Sequence, residues 1–231
     1  MSALVPVIAV DGLRGVGKGG LCQRLAVRLG WHLLASGALY RLTALVALRR
    51  NLLLEDADRI AAVAASLEAE LIVKADGCLR ITLDGTEVSA DLRTERCGNA
   101  ASRVAALPAV RAALLQRQQN FRCSPGLIAD GRDMGTVVFP DAKLKLFLTA
   151  SVEERAQRRH GQLSQQGLGA SLWRLADEIA ERDARDSQRA VAPLRPALDA
   201  EILDTTHLQS ADVCNWALTL IAQRLALPEP R

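Results

Sequence analysis

The chain has 231 residues, enough for one sizeable core, and its 49% hydrophobic and 24% charged residues are ordinary for a globular protein. Aromatic residues make up only 3%, so that core is expected to be aliphatic, and no run of 18 apolar residues suggests a membrane span or a signal peptide. The net charge of +3 is too small to mark a nucleic-acid binder, and five scattered cysteines without a CxxC pair suit reduced thiols in a cytoplasm better than disulfides or a metal site.

In chain order, Val5–Val10 is a short apolar run and reads as a buried strand. Residues 18–30 carry Leu21, Leu25, Val27 and Leu29 at helical spacing, with Gly30 as the stop. Trp31–Leu34 reads as a second strand and 37–50 as a second helix, so the opening is β-α-β-α, the pattern of a parallel sheet covered by helices. After a helix over 56–67, the stretch "ELIVKADGCLRITLDGTEVSADLR" alternates apolar and polar residues around two Asp-Gly turns. It predicts a small antiparallel insertion of two or three strands. Helices are expected at 94–106 and 109–121, separated by Pro108. Parallel grammar then returns: strands at 126–129, 144–148 and 201–204, arginine-rich helices at 152–165 and 171–188 joined by the glycine-containing "QQGLGA", and a closing helix at 210–225. The final "PEPR" is expected to fray.

The stretch "AVDGLRGVGKGGLCQRL" (Ala9–Leu25) lies between the first strand and the first helix. Gly12-x4-Gly17-Lys18 is most of a phosphate-binding loop in the context that the motif needs. Glycines let backbone N–H groups turn toward phosphate oxygens, the helix N-terminus adds positive potential, and Lys18 supplies a point charge. A glycine-rich turn without a ligand is the competing reading. The motif's usual hydroxyl is missing, because Gly19 and Gly20 follow Lys18.

Only four of the 29 basic residues are lysines, and arginine is the side chain that grips phosphate in a bidentate fashion. Arg182, Asp186 and Arg189 fall at i, i+4 and i+7, on one helical face. Arg132 and Asp133 follow a predicted strand, as do Ser36 and Arg41, and ligands of parallel sheets bind beyond the carboxyl ends of strands. Taken singly, these are equally a solvated Arg–Asp helix face, a strand-exit turn and a serine helix cap.

Gly12-x-x-Gly15-x-Gly17-Lys18-Gly19 resembles the nucleoside monophosphate kinases of the P-loop NTPase class. "WHLLASGALYR" at 31–41, "LIADGRDMGTVVFP" at 127–140, "ERAQRR" at 154–159 and "ERDARDSQRAVAPL" at 181–194 together look like bacterial cytidylate kinases, over nearly the whole chain. The resemblance implies a P-loop NTPase-like α/β fold and transfer of a phosphoryl group from Mg²⁺-ATP to CMP or dCMP by a cytoplasmic monomer. It implies one domain divided into a core (1–55, 122–150, 200–231), an acceptor-binding part (56–121) and a lid (151–195). It also implies ATP contacts from Gly12, Leu13, Arg14, Gly15, Val16, Gly17, Lys18, Gly19 and Gly20, with Arg155 and Arg159 from the lid. Ser36 and Arg41 match acceptor positions; Ser102, Arg111 and Asp133 match positions that read the cytosine edge; Arg182 and Asp186 match nucleoside contacts; Arg132 and Arg189 match phosphate contacts. Lys18, Arg132 and Arg189 are thereby the candidate catalytic residues. A helper base is not required, since the acceptor phosphate is already ionised.

The chain departs from this family at Gly20, where the family has Thr, and at Ala35, where it has Asp. Leu13 and Arg14 replace Pro-Ser, and Val16 replaces Ala. An active but slowed kinase is expected. The alternative is a nucleotide-binding pseudokinase with a regulatory or scaffolding role.

Overall fold

The computed structural model describes residues 4–74, 76–165, 167 and 169–225. The expected fraying of "PEPR" and part of the "QQGLGA" joint lie outside the described residues. In chain order the elements are β1 (Val7–Gly12), α1 (Lys18–Leu29), β2 (His32–Ala35), α2 (Ser36–Arg49) and α3 (Ala57–Ala65). The antiparallel insertion follows as β3 (Ala69–Val73), β4 (Leu79–Leu83) and β5 (Thr86–Glu87). Then come α4 (Ser89–Arg93), α5 (Glu95–Val104), α6 (Pro108–Gln119), β6 (Leu127–Asp130) and β7 (Leu144–Thr149). The chain closes with α7 (Val152–Gln165), α8 (Leu172–Gln188), β8 (Glu201–Asp204) and α9 (Ser210–Leu225).

The five strands of the main sheet run parallel in the order β2-β6-β1-β7-β8, as the β-α grammar predicts. Strand alternation sorts the aliphatic side chains into two cores. Val7, Ala9, Leu34, Leu127 and Ala129 face one side and pack with α2, α3, α5 and α6. Ile8, Val10, Leu33, Ile128, Leu146 and Leu148 face the other and pack with α1 and α9. The chain's carboxyl-edge loops therefore sit side by side: 13–17 after β1, 35–36 after β2, 131–133 after β6 and 150–151 after β7.

Local signals set the element ends. Gly30 adopts φ 65° and closes α1 by donating its N–H to Ala26 and Val27. Asp56 caps α3 by accepting from the Arg59 N–H, Thr94 caps α5 by accepting from the Cys97 N–H, and Pro108 occupies the first turn of α6. Two elements escape the sequence reading. The tail of the insertion is the short helix α4. The "DMGTVV" stretch is a five-residue π-helical turn, Met134–Val138, with Phe139 N–H bonded to the Met134 carbonyl at 2.7 Å.

The reason for that turn is Asp11. Its carboxylate, buried within β1, accepts the Met134 and Gly135 N–H groups at 2.8 Å each, supplying partners that an ordinary strand exit would lack. Gly12, next in the chain, has φ 140°, and a Cβ there would lie 2.0 Å from the Leu148 carbonyl oxygen. Gly12→Ala is expected to destabilise the fold by about 3 kcal/mol or more, the upper range for overpacking against backbone. Gly161→Ala, where a Cβ meets nothing within 4 Å inside α7, should instead stabilise by about 0.5–1 kcal/mol. Urea denaturation of both variants checks the pair; equal effects would contradict this account.

Candidate active site

One cleft of about 1260 Å³ opens along the carboxyl edge of the main sheet. That exceeds the roughly 300–1,000 Å³ of a single small-ligand pocket. Of the residues singled out in the sequence, Arg14, Gly15, Gly17, Lys18, Gly19, Gly20, Ser36, Arg41, Ser102, Arg111, Arg132, Asp133, Arg159, Arg182, Asp186 and Arg189 line it. Gly12, Leu13, Val16 and Arg155 do not line it.

Gly12 leads into the loop, Leu13 and Val16 belong to it without lining the cleft, and Arg155 packs behind it. Gly12 ends β1. The Leu13 carbonyl accepts from Lys18 Nζ at 2.6 Å, and the Val16 carbonyl accepts from the Thr205 hydroxyl at 3.3 Å. Arg155 is only 2% exposed. Its Nε donates to the Ala150 carbonyl at 3.0 Å, its Nη1 donates to the Arg14 carbonyl at 3.2 Å, and its Nη2 pairs with Asp183 at 2.6 Å. The guanidinium is fully used in bracing the loop from below. Gly15, at φ 84°, permits this bracing, since its Cβ would lie 3.3 Å from that of Arg155.

Lys18 opens α1 beside the loop and is almost fully buried. Burial, aided by repulsion from Arg132, lowers its ammonium to about 7, against opposing attraction from Asp130 and Asp11. Burial likewise pushes Asp11 up to about 6, although the Gly135 and Met134 N–H groups favour its charge. Asp130 ends β6 beside Lys18 and is raised by burial. The second glycine after Lys18, Gly20, leaves its surroundings open: a Cβ would meet only Arg24 Nη1, at 3.8 Å. Ala35 ends β2, pairs in register with Asp130 and stands at the cap of α2 without offering a side-chain cap.

Across the cleft, arginines converge. Arg41 donates to the Leu92 carbonyl, and its guanidinium lies with that of Arg182 over Gly98, where a Cβ would stand 3.1 Å from Arg41 and 3.3 Å from Arg182. Arg182 is buried, yet its Nε and Nη1 have no hydrogen-bond partner among the described residues. Burial and repulsion from Arg14 and Arg132 lower its guanidinium to about 9. Arg132 pairs with Asp186 at 3.1 Å, and Ser102 Oγ donates to the same carboxylate at 3.4 Å. Burial disfavours the Asp186 charge, but Arg132 and Arg182 outweigh it and hold the carboxyl below its usual range.

A second carboxylate, Asp133, follows β6 and pairs with Arg111, while Arg189 approaches its other oxygen at 3.6 Å. Tyr40 lies beneath the Arg111 guanidinium, 5.7 Å from ring centroid to Cζ. Ser36 Oγ donates to Gln118 at 2.6 Å. The structure thus divides the expected acceptor residues into two clusters. Ser102 stands with Arg132, Arg182 and Asp186, whereas Arg111 and Asp133 stand with Arg189, Tyr40 and Gln118.

Sequence reasoning passed over Asp11, Tyr40, Glu95, Gln118 and Asp130. Asp11 carried a signal, a lone acid ending an apolar strand, and so did Asp130. Tyr40 lies inside the family-like segment at 31–41, where its ring carried no signal of its own, and Glu95 and Gln118 lie on helices with no motif around them. Arg14 and Arg159 both pair with Glu95, at 3.1 and 2.6 Å.

The family described as cytidylate kinase matches residues 8–223. The cytidylate kinase of Klebsiella pneumoniae (strain 342) is 52% identical over 227 residues, covering 98% of this chain and all of that protein. That of Salmonella arizonae (strain ATCC BAA-731 / CDC346-86 / RSK2980) is 53% identical with the same coverage. Among solved structures, a gluconokinase from Sinorhizobium meliloti 1021 aligns over 95% of this chain and 93% of its own, with 14% identity and a TM-score of 0.45, too slight a likeness to bear on function. The family match and the full-length relatives agree with the loop and arginine geometry: this chain belongs to the cytidylate kinase family.

Proposed function

We propose that the protein transfers the terminal phosphoryl group of ATP to CMP or dCMP, giving ADP and CDP or dCDP. The observation that carries this reading is the buried, unpartnered guanidinium edge of Arg182 among the described residues, set with Arg41 and Arg132 in the cleft that Lys18 also lines. Such a cation cluster calls for an anion. Family membership supports the choice of acceptor.

In this reading, the 12–20 loop and Lys18 hold the donor phosphates, and Arg159 reaches them from α7. Arg41, Arg132, Arg182 and Arg189 draw in the acceptor phosphate. One of its oxygens attacks the terminal phosphorus of ATP, and the bond to the bridging oxygen breaks with its electrons leaving on ADP. No proton needs to move, so the protein's work is to position two polyanions and to stabilise the charge between them. Mg²⁺ enters with ATP. Among the described residues no three acid, His or Cys side chains cluster to hold a metal, and Asp130 is the buried carboxylate beside the donor loop.

Asp133 and Arg111 suit the cytosine edge, where the exocyclic amine donates and the ring nitrogen and carbonyl accept. Asp186 suits sugar hydroxyls. The division into core (1–55, 122–150, 200–231), acceptor part (56–121) and lid (151–195) fits the same reading: 151–195 closes over the donor and excludes water. A monomer in the cytoplasm accords with it, and among the described residues no helix is long and apolar enough to cross a membrane.

A coupled assay with ATP and millimolar CMP tests the reading. CDP formation is expected. Gly20→Thr, which the open space at 20 accommodates, should raise turnover by up to about 100-fold if the missing hydroxyl acts on the transition state. Ala35→Asp should add to it. The absence of CDP above background in the parent and both variants would contradict the proposal.

The buried lysine supplies a second check. With its ammonium held at about 7, Lys18 is mostly neutral at pH 8 before the donor binds, and donor phosphates restore its charge. Binding of Mg²⁺-ATP at pH 8 should therefore take up about one proton. Calorimetry in buffers of different ionisation enthalpy reads this directly, and Lys18→Met should abolish the uptake. Equal uptake in that variant would assign the proton elsewhere.

A further inference from the structure

Arg14 and Glu95 come from distant parts of the chain and form a two-pronged ion pair: Arg14 Nη1 and Nη2 donate to Glu95 Oε2 and Oε1 at 3.2 and 3.1 Å. Arg159 joins the same carboxylate, Nη2 to Oε1, at 2.6 Å. One carboxylate thus connects the donor loop, the first turn of α5 and helix α7. Glu95 is partly exposed. Burial disfavours its charge, but Arg14 and Arg159 outweigh this and hold the carboxyl below its usual range.

Three features give this bridge a meaning beyond stability. It borders a small cavity of about 200 Å³, lined by Arg14, Gly15, Glu95, Arg155, Arg158, Arg159 and neighbours, immediately beside the donor loop. That volume takes a phosphate group with its water. Both arginines belong to the surface that the proposed function assigns to donor phosphates, and a planar carboxylate is the protein group that most resembles a phosphate edge to a guanidinium. Finally, Arg159 Nε is buried with no hydrogen-bond partner among the described residues. The carboxylate therefore leaves part of this arginine unsatisfied, and a tetrahedral anion with more oxygens can supply the missing acceptor.

We infer that Glu95 is a positioning residue that stands in for the donor's terminal phosphate until the donor binds, and that the incoming triphosphate takes Arg14 and Arg159 from it. The inference rests on the reading of the 12–20 loop as the donor site. Glu95 then does two things. It holds donor loop and α7 together before ATP arrives, so that two like-charged guanidiniums tolerate each other. It also competes with the donor, because a carboxylate left at the arginines repels phosphate oxygens. After displacement it keeps a favourable place in the first turn of α5, at the positive end of the helix. Donor affinity is thereby set in part by a residue that is not itself a phosphate ligand. Arg14, which replaces the serine-bearing segment of the family's loop, supplies the guanidinium that makes the exchange possible.

The test is equilibrium binding of inorganic tripolyphosphate, measured by calorimetry on the full chain. Parent, Glu95→Gln, Arg14→Ser and the double variant form the set, with thermal melting as a folding control. Glu95→Gln should bind tripolyphosphate about five- to twenty-fold more tightly than the parent, the scale of a single partly buried charge interaction. Arg14→Ser should weaken binding much more in the Glu95→Gln background than in the parent, because in the parent that arginine is already engaged. A purely structural ion pair would lower the melting temperature and leave affinity unchanged. Unchanged or weaker binding in Glu95→Gln overturns the inference, as does an equal effect of Arg14→Ser in both backgrounds. If Glu95→Gln does not fold, Glu95→Asp, which shortens the reach to both arginines, should still tighten binding at least about two-fold, and a failure to do so overturns the inference. The readout involves no turnover. A protein that makes no CDP can still show the tightening, and one that makes CDP can still lack it, so the failures of the two proposals are distinct.

Discussion

Like charges crowded at one edge of a sheet are the constraint on which the structure depends. Lys18, Arg14, Arg41, Arg132, Arg159, Arg182 and Arg189 all line one cleft. Their mutual repulsion acts on the groups themselves: beyond the effect of burial, Arg132 lowers the Lys18 ammonium, and Arg14 and Arg132 lower the Arg182 guanidinium. Three carboxylates make this tolerable, each shared. Asp133 serves Arg111 and Arg189, Asp186 serves Arg132 and Ser102, and Glu95 serves Arg14 and Arg159. The remaining deficit, centred on Arg182, is where the proposed reading seats a phosphate. A buried charge without a partner is costly, so this arrangement carries a driving force for binding polyanions.

The two aliphatic cores hold this unfavourable arrangement in place. β1 occupies the centre of the sheet and contributes to both cores. It also feeds the donor loop directly, and through Asp11 it fixes the π-helical turn that follows Asp133. The groups proposed to hold donor and acceptor are therefore positioned by one strand. The close approach of Gly12 to the Leu148 carbonyl seats β1 against β7 at the point where the loop departs. Any shift of β1 would move both halves of the cleft together.

The fold was largely legible, because aliphatic periodicity and glycine stops carry it: every strand of the main sheet lies within a residue or two of its sequence reading. The π-helical turn was not, since its cause is a carboxylate 123 residues away. Loop and strand-exit residues such as Lys18, Arg41, Arg132 and Asp133 could be placed because parallel sheets put their ligands there. Arg155, which only the family resemblance brought to the donor, is a different case. It has the right residue type and the right neighbourhood, but its guanidinium is spent on backbone carbonyls and Asp183 beneath the loop. Glu95 shows the converse. One glutamate in a helix announces nothing, and its place between two arginines depends on three segments meeting.

Base selection tests the central claim, a cleft in which Asp133 and Arg111 face the acceptor's base while the arginine cluster holds its phosphate. The most direct measurement is the ratio of kcat/KM for CMP to that for UMP at fixed Mg²⁺-ATP. Uracil presents a carbonyl where cytosine presents an amine, so it would set an oxygen against the buried Asp133 carboxylate, a repulsion between acceptors that the carboxylate's pairing with Arg111 does not remove. Mismatches of this kind in sites built on hydrogen bonds reach about 10⁴-fold. The account predicts a ratio of at least about 100 in favour of CMP, with dCMP close behind. Equal use of UMP and CMP would contradict it.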